Sequence, residues 1–222
     1  MSNVVTSMSI GFWLLFFPSF AQAEVNDFAC GSLHNGYGPF DFRSDKDKLP
    51  IVEGAHFTPE VANLIRGRTG PIGGDLDYTL RAFPNHPGAL MSMIRLSEKK
   101  KGIKPLGARY STECYFQRAV RFRADDTNVR MIYAIYLSKN QRAAEALKQL
   151  DDAHKLGEES ANFYYNAGLI YFGLGRYDEA LTNAHRAYQA GFSLPGLRNK
   201  LKESGKWREP DRSSTKDIET TN

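Results

Sequence analysis

The sequence has few of the residues and motifs on which catalysis or metal binding usually depends. Its 222 residues include two cysteines and two tryptophans, and the cysteines do not form a C-x-x-C motif. There is no G-x-S-x-G, no H-E-x-x-H and no phosphate-binding P-loop, and no cysteine and histidine cluster has the spacing of a zinc site. We therefore predict no catalytic residue, no cofactor and no metal, and we expect a protein that is not an enzyme.

Charge and hydropathy give no indication of a nucleic-acid partner or of a second membrane segment. The net charge is +4, and the basic residues are scattered among acidic ones except in the run 99–101, so we expect no nucleic acid. Beyond residue 23, no apolar run approaches the roughly 20 residues of a membrane-spanning helix. We expect no membrane insertion of the mature chain, and the polar composition of residues 208–222 predicts a disordered tail.

The first 23 residues have the pattern of a Sec-type signal peptide. Residues 10–20 are almost entirely apolar and are followed by Ala21-Gln-Ala23, a small-x-small pattern at which signal peptidases cleave. This predicts an exported protein, periplasmic or secreted, with a bacterial envelope as the preferred setting. The residues before the apolar run contain no Lys or Arg, which leaves an uncleaved anchor as the alternative.

If the protein is exported, its two cysteines can form a disulfide. In an oxidising compartment, Cys30 and Cys114 are expected either to pair or to stay as separate thiols. A bridge between them would hold the N-terminal region against the body of the protein. Buried free cysteines also occur as small apolar residues, so both alternatives stay open for this pair.

The strongest pattern in the sequence is an internal repeat with a period of about 34 residues. Between residues 166 and 187, small and aromatic residues have a characteristic spacing, at Gly168, Tyr171, Gly175, Ala180 and Ala187. Steps of one period toward the N-terminus relate the two alanines to earlier ones, at Ala146, Ala153 and Ala119. The next matching alanine, Ala82, precedes Ala119 by one period plus three residues, and we place the extra residues in the loop 99–105. This pattern resembles the tetratricopeptide repeat (TPR).

The resemblance implies an all-α fold in which antiparallel helix pairs stack into a right-handed superhelical solenoid. It covers residues 75–207 and predicts half a repeat (Asp75 to Phe83), three hairpins (88–123, 127–156 and 161–191) and a C-terminal capping helix that ends near Trp207. Residues 24–74 are outside the resemblance. We predict an irregular N-terminal arm and a lead-in helix there.

TPR arrays bind partners on a concave face that the first helix of each hairpin forms. The resemblance therefore implies a partner-binding surface made of Asn128, Met131, Ile135, Asn162, Tyr165, Leu169 and Phe172. The surface is apolar with a few amides, and it lacks the lysines and arginines with which some members bind a terminal carboxylate. The expected partner is an apolar peptide, extended or helical, or an unidentified envelope protein. The overall prediction is a non-catalytic scaffold for protein–protein interaction.

The N-terminal arm includes the sequence HNGYGPFDFR, residues 34–43. If the segment is extended, Phe40 and Phe42 share one side, and Asp41 and Arg43 share the other. With Tyr37, its aromatic residues are predicted to cover the first half repeat, but they could instead contact a partner.

Two other functions remain as alternatives. The first is an accessory or self-associating subunit, which includes a homo-oligomer, of an envelope, secretion or transport system. The second is an enzyme that uses the acids and histidines of residues 34–56. These are His34, Asp41, Asp45, Asp47, Glu53 and His56.

Overall fold

The computed structural model describes residues 30–210 except 101 and 103, and these residues form ten α-helices and no strand. The prediction of an all-α fold is therefore confirmed for this part of the chain. The predicted signal peptide and residues 211–222 of the predicted tail lie outside the described residues. Among the helices described, none is long and apolar enough to cross a membrane.

A short 3-10 helix at Lys46–Lys48 precedes the α-helices. The α-helices are α1 (Leu49–His56), α2 (Pro59–Ala62), α3 (Ile72–Ala82), α4 (Pro87–Lys100), α5 (Thr112–Phe122), α6 (Thr127–Lys139), α7 (Ala143–Lys155), α8 (Ala161–Gly173), α9 (Tyr177–Gln189) and α10 (Gly196–Glu203).

Local sequence signals explain several of the helix ends. Asp126 and Ser160 accept hydrogen bonds from the backbone N–H groups of the first turns of α6 and α8, as N-cap residues do. After α7 and α9, Gly157 and Gly191 have φ angles of +84° and +88°, and glycine tolerates these angles best. The predicted helix ends at these glycines agree with the structure.

The predicted start of the half repeat at Asp75 is wrong, because α3 begins three residues earlier, at Ile72. The side chain of Asp75 is fully buried and points back to the preceding loop. It accepts hydrogen bonds from the backbone N–H of Arg68 at 2.6 Å and from the hydroxyl of Thr69 at 2.5 Å. The carboxylate therefore orders the loop before α3, which sequence reasoning mistook for a helix-capping role.

The helices pack in pairs, and the alanines of the repeat period lie at the contacts. The most extensive contacts join α6 with α7 and α8 with α9, while α4 also contacts α6, and α6 contacts α8. The repeat alanines are all fully buried, at Ala82, Ala119, Ala146, Ala153, Ala180 and Ala187. Small side chains are needed there because the helices approach closely.

The last helix covers the end of the α8 and α9 pair. Leu197 and Leu201 of α10 are fully buried against Ala180 and Ala184 of α9. A Cβ atom at Gly168 of α8 would lie 2.4 Å from a methyl group of Leu197, so α10 also approaches α8 closely. The helix α10 therefore packs against both members of this pair.

Ordered contacts continue past Trp207, the predicted end of the repeat region. The guanidinium of Arg208 donates to Asp178 at 2.7 Å. The backbone carbonyl of Arg208 lies 2.8 Å from Nε2 of His185. Residue 208, the first of the predicted tail, thus contacts α9.

Candidate functional site: a cavity between the N-terminal arm and two helix starts

The N-terminal arm begins with a covalent link to α5. Cys30 and Cys114 form a disulfide, so the hypothesis of a bridge is confirmed. Beside it, the buried guanidinium of Arg118 donates to the backbone carbonyls of Cys30 at 3.0 Å and Ser32 at 2.7 Å. The same guanidinium lies over the ring of Tyr110, 4.6 Å from its centroid. A disulfide and a buried cation thus hold the start of the arm.

The middle of the arm packs on the C-terminal end of α3. The backbone N–H of Phe40 donates to the carbonyl of Ala82 at 2.8 Å. The ring of Phe40 lies between those of Tyr37 and Phe83, with centroid distances of 4.9 and 5.5 Å. Gly38 has a φ angle of +99°, and a Cβ atom there would lie 2.6 Å from the carbonyl oxygen of Ala82. Only glycine fits this close approach without strain.

A network of buried polar groups fixes the next part of the arm. The side-chain amide of Asn85, in the loop between α3 and α4, donates to Asp41 at 2.7 Å and to Asp126 at 2.9 Å. Its carbonyl oxygen accepts from the backbone N–H of Phe42 at 2.9 Å. The carboxamide therefore uses both its donor and its acceptor groups, and it joins the arm to the starts of both α4 and α6.

Two arginines balance the charge of these carboxylates. Arg43 donates to Asp41 at 3.0 Å and lies 3.1 Å from Asp125, and Arg123 lies 2.7 Å from Asp41. Burial alone would raise the pKa of Asp41, but the hydrogen bonds from Arg43 and Asn85 outweigh it and hold this pKa well below its usual range. Asp41 is therefore ionised at neutral pH, although it is buried.

Phe42 extends from this network toward a buried histidine. Its ring centroid lies 4.7 Å from that of His86. The Nδ1 atom of His86 accepts a hydrogen bond from the backbone N–H of Ala89 at 3.1 Å, so Nε2 carries the proton and donates to Glu53 at 3.0 Å. Burial lowers the pKa of His86, which agrees with this neutral form.

A cavity of about 350 Å³ opens between the arm and the starts of α6 and α8. Its lining combines four apolar side chains with carboxamides, hydroxyls and a few charges. The lining residues are Phe42, Arg43, Asn85, Pro87, Asp126, Thr127, Asn128, Met131, Glu158, Ser160, Asn162 and Phe163. The arm thus provides part of the same cavity to which the predicted concave surface contributes.

Two exposed asparagines occupy equivalent positions at the cavity. Asn128 and Asn162 are one repeat period apart, and each is the second residue of its helix. The side-chain oxygen of Asn162 accepts a hydrogen bond from Asn166 at 3.1 Å, which helps to orient its carboxamide. Glu158 connects the two helix starts, since it accepts from the hydroxyl of Thr127 at 2.5 Å and from the backbone N–H of Ser160 at 3.1 Å.

The structure divides the predicted concave surface. Asn128, Met131 and Asn162 line the cavity. Ile135 packs between two parts of the core. The other three residues pack around α10, and Tyr165 stacks on Phe192 with a centroid distance of 4.0 Å; these residues are Tyr165, Leu169 and Phe172.

Sequence reasoning missed the contribution of Asn85. The signal that could have found it is its place two residues before Pro87, at the start of α4. A polar residue at such a helix start often makes hydrogen bonds to neighbouring backbone groups. The hydrogen bonds of Asn85 to Asp41 and Asp126 depend on tertiary contacts, so the sequence does not predict these two bonds.

The acids and histidines of residues 34–56 make separate contacts. Glu53 contacts His86, and Asp41 belongs to the network around Asn85. His56 lies 3.0 Å from Asp75 and stacks on Tyr78. The carboxylate of Asp45 accepts from the backbone of Asp41, Asp47 pairs with Lys48, and His34 is exposed. These groups do not converge on one cavity in the described part of the chain.

A search of protein-family models and a search of curated proteins gave no match to this chain.

Proposed function

We propose that this protein is an exported, non-catalytic scaffold of the TPR type that binds a peptide segment of an envelope partner in the cavity between the arm and the starts of α6 and α8. The observation that carries the proposal is the meeting of Asn128 and Asn162 with Phe42 at one cavity. The carboxamides of the two asparagines, which are one repeat period apart, and the ring of Phe42 would then contact the same ligand.

The two carboxamides suit the main chain of an extended peptide. A side-chain amide offers both a donor and an acceptor, as a peptide group does. The helices α6 and α8 contact each other, and packed helices have axes about 8 to 10 Å apart. This spacing equals about three residues of an extended chain. We propose that Asn128 and Asn162 hold peptide groups on either side of one bound side chain.

The cavity favours an apolar side chain at that central position. Its volume of about 350 Å³ is at the lower end of the range for ligand sites. Phe42, Met131 and Phe163 supply apolar surface, and their burial of a bound side chain would be favourable by about 25 cal/mol per Å². A side chain such as Leu, Met or Phe fits this chemistry.

The charges around the cavity disfavour a carboxylate. Arg43 is the only cation among the lining residues of the cavity described here, and it already contacts Asp41 and Asp125. Asp126 and Glu158 place two negative charges in the lining. We therefore propose binding to the interior of a peptide and not to its C-terminal carboxylate.

The proposed architecture is a superhelix of helix pairs, with the arm as its N-terminal cap. It is supported by the successive contacts of α4, α6 and α8 and by the buried alanines of the repeat period. The disulfide between Cys30 and Cys114 supports export, because such bonds persist in oxidising compartments.

The proposal can be tested by selecting peptides from a displayed library of short random sequences for binding to the oxidised chain that begins at Glu24. We expect the enriched peptides to share one apolar residue, and we expect Asn128→Ala combined with Asn162→Ala to weaken their binding by about tenfold or more, since each hydrogen bond contributes about 1 kcal/mol. Asn199→Ala is the matched control, because Asn199 is an exposed asparagine of α10.

Equal binding of the enriched peptides to the double variant and to the wild type would refute the proposed role of the asparagines. Met131→Ala provides a second test of the cavity. Because only 4% of the surface of Met131 is exposed, circular dichroism has to show first that this variant is folded. A folded Met131→Ala variant with unchanged peptide preference would also count against the cavity as the binding site.

A further inference from the structure

Two exposed apolar side chains protrude from neighbouring loops beside the C-terminal half of α4. Leu106 is 82% exposed and Ile65 is 71% exposed, the two highest values among the large exposed apolar residues described. Leu106 lies in the loop between α4 and α5, and Ile65 lies in the loop between α2 and α3. Single exposed apolar residues are common on protein surfaces. They indicate a binding surface only if the neighbouring residues support one.

The two loops form one surface. The start of α3 lies so close to the loop between α4 and α5 that a Cβ atom at Gly73 would be 2.4 Å from the carbonyl oxygen of Leu106. An apolar cavity of about 270 Å³ lies between the loops, and its lining includes Pro71, Ile72, Leu96 and Leu106. Leu106 is thus part of a larger apolar area that includes the end of α4.

Basic residues surround this apolar area. The exposed cations of the two loops and of the adjoining part of α4 include six around the apolar area: Arg66, Arg68, Arg95, Lys99, Lys100 and Lys104. The acidic residues nearby on α2 and α4 are Glu60 and Glu98. Six positive and two negative charges give these eight residues a net charge of +4. We call these six cations, with Ile65 and Leu106, the basic edge.

We propose that the basic edge docks on the surface of an anionic phospholipid membrane. Protruding apolar side chains flanked by Lys and Arg are typical of peripheral membrane binding, since the apolar groups enter the headgroup region while the cations attract anionic lipids. A protein partner would need a matching pocket for each protruding side chain, whereas a fluid headgroup layer does not. This is surface binding without insertion of a helix.

Docking at this edge would fix the direction of the peptide cavity. The basic edge adjoins the C-terminal end of α4, and Pro87 at its N-terminal end lines the cavity. A helix of 14 residues is roughly 20 Å long. A membrane-bound molecule would therefore direct its cavity away from the lipid. The docking itself does not depend on the proposed function of the cavity.

Vesicle binding tests the inference with the oxidised chain that begins at Glu24, which keeps every described residue and lacks the apolar run 10–20. We expect sedimentation with vesicles of phosphatidylcholine that contain about one third phosphatidylglycerol, and little with pure phosphatidylcholine. Replacing Lys99, Lys100 and Lys104 with glutamine is expected to weaken binding about 100-fold. Salt at about 0.5 M should weaken it strongly, because screening shortens the range of the attraction.

A second triple variant, with glutamine at Lys200, Lys202 and Lys206, is the matched control because it removes the same charge around α10. An equal loss of binding in this control would mean that the attraction is diffuse and would overturn the assignment to the basic edge. Leu106→Ser combined with Ile65→Ser tests the apolar contribution, and we expect binding to fall about tenfold. Leu194→Ser, at a residue that is 60% exposed near α10, serves as its control.

Three results would each reject the inference. One is the absence of binding to anionic vesicles. Another is unchanged vesicle binding of the Lys99, Lys100 and Lys104 variant. The third is binding to a polyglutamate peptide without binding to vesicles, which would instead identify the edge as a surface for an acidic protein. Leu106 and Ile65 are exposed, so the serine variant should fold normally, and its circular dichroism provides the check.

Discussion

Replacing Cys30 and Cys114 with serine is predicted to lower the free energy of unfolding by about 4.5 kcal/mol. The disulfide joins residues that are 84 positions apart. In the chain-entropy model, removing a crosslink that closes a loop of this length restores roughly 15 cal/mol/K of conformational entropy to the unfolded chain. This loss is a large part of the stability of a typical domain, which is only about 5–15 kcal/mol.

The same variant should keep the middle of the arm in place. The backbone N–H groups of Phe40 and Phe42 donate to Ala82 and Asn85, and neither acceptor depends on the disulfide. Arg118 also keeps its hydrogen bonds to the carbonyls of residues 30–32. We therefore expect a global loss of stability without local release of residues 40–45.

Urea unfolding and amide hydrogen exchange test these two expectations on the double serine variant. A stability loss below about 1 kcal/mol would refute the loop-closure reasoning for this disulfide. Selective loss of exchange protection in residues 40–45, under conditions where the rest of the fold stays protected, would show that the disulfide alone holds the arm. Single serine variants are unsuitable because they leave one reactive thiol.

Three further substitutions test the contacts of the arm. Asp41→Asn is expected to cost about 3 kcal/mol at neutral pH, because it leaves buried charged partners unmatched. Since the folded-state pKa of Asp41 is lowered, its stabilising effect is lost as the pH falls below about 4, and acid titration of the midpoint of unfolding should show a weaker acid dependence in the variant. The wild-type protein is expected to lose stability between about pH 7 and pH 5, because the folded-state pKa of His86 is also lowered and protonation therefore favours the unfolded chain. His86→Gln should make this loss smaller. An unchanged dependence of the melting temperature on pH in the variant would contradict this. Gly38→Ala should cost at least about 2 kcal/mol because of the positive φ angle and the contact with the carbonyl of Ala82. Gly36→Ala is its control, since a Cβ atom there meets nothing within 4 Å, and similar melting temperatures for the two glycine variants would disprove the packing argument.

The helical character of the chain and several helix ends could be predicted from the sequence. Small residues that recur at the repeat period indicate helices that must approach closely, and the buried alanines agree with that interpretation. Glycines that end helices and polar residues that begin them act within one turn, so they can be recognised locally. Asp75 was misread because a carboxylate near a helix start can serve either the helix or the preceding loop.

The candidate site could be predicted only in part. The sequence placed Asn128, Met131 and Asn162 on one surface, and all three line the cavity. It gave no reason to separate them from Tyr165, because helical periodicity tells which residues share a face but not which other helix covers that face. The position of α10 decides this, and α10 packs around Tyr165.

The sequence by itself determined the all-helical class, the repeat register and the two cysteines that were available to pair. Only the tertiary structure decided where the arm lies, because its contacts join residues more than 40 positions apart, as Phe42 does with Asn85. The same holds for the basic edge, where two loops distant in sequence meet and both Pro71 and Leu106 line one apolar cavity. Local propensity and periodicity act over a few turns of chain, whereas such sites depend on how the packed helices place distant loops side by side.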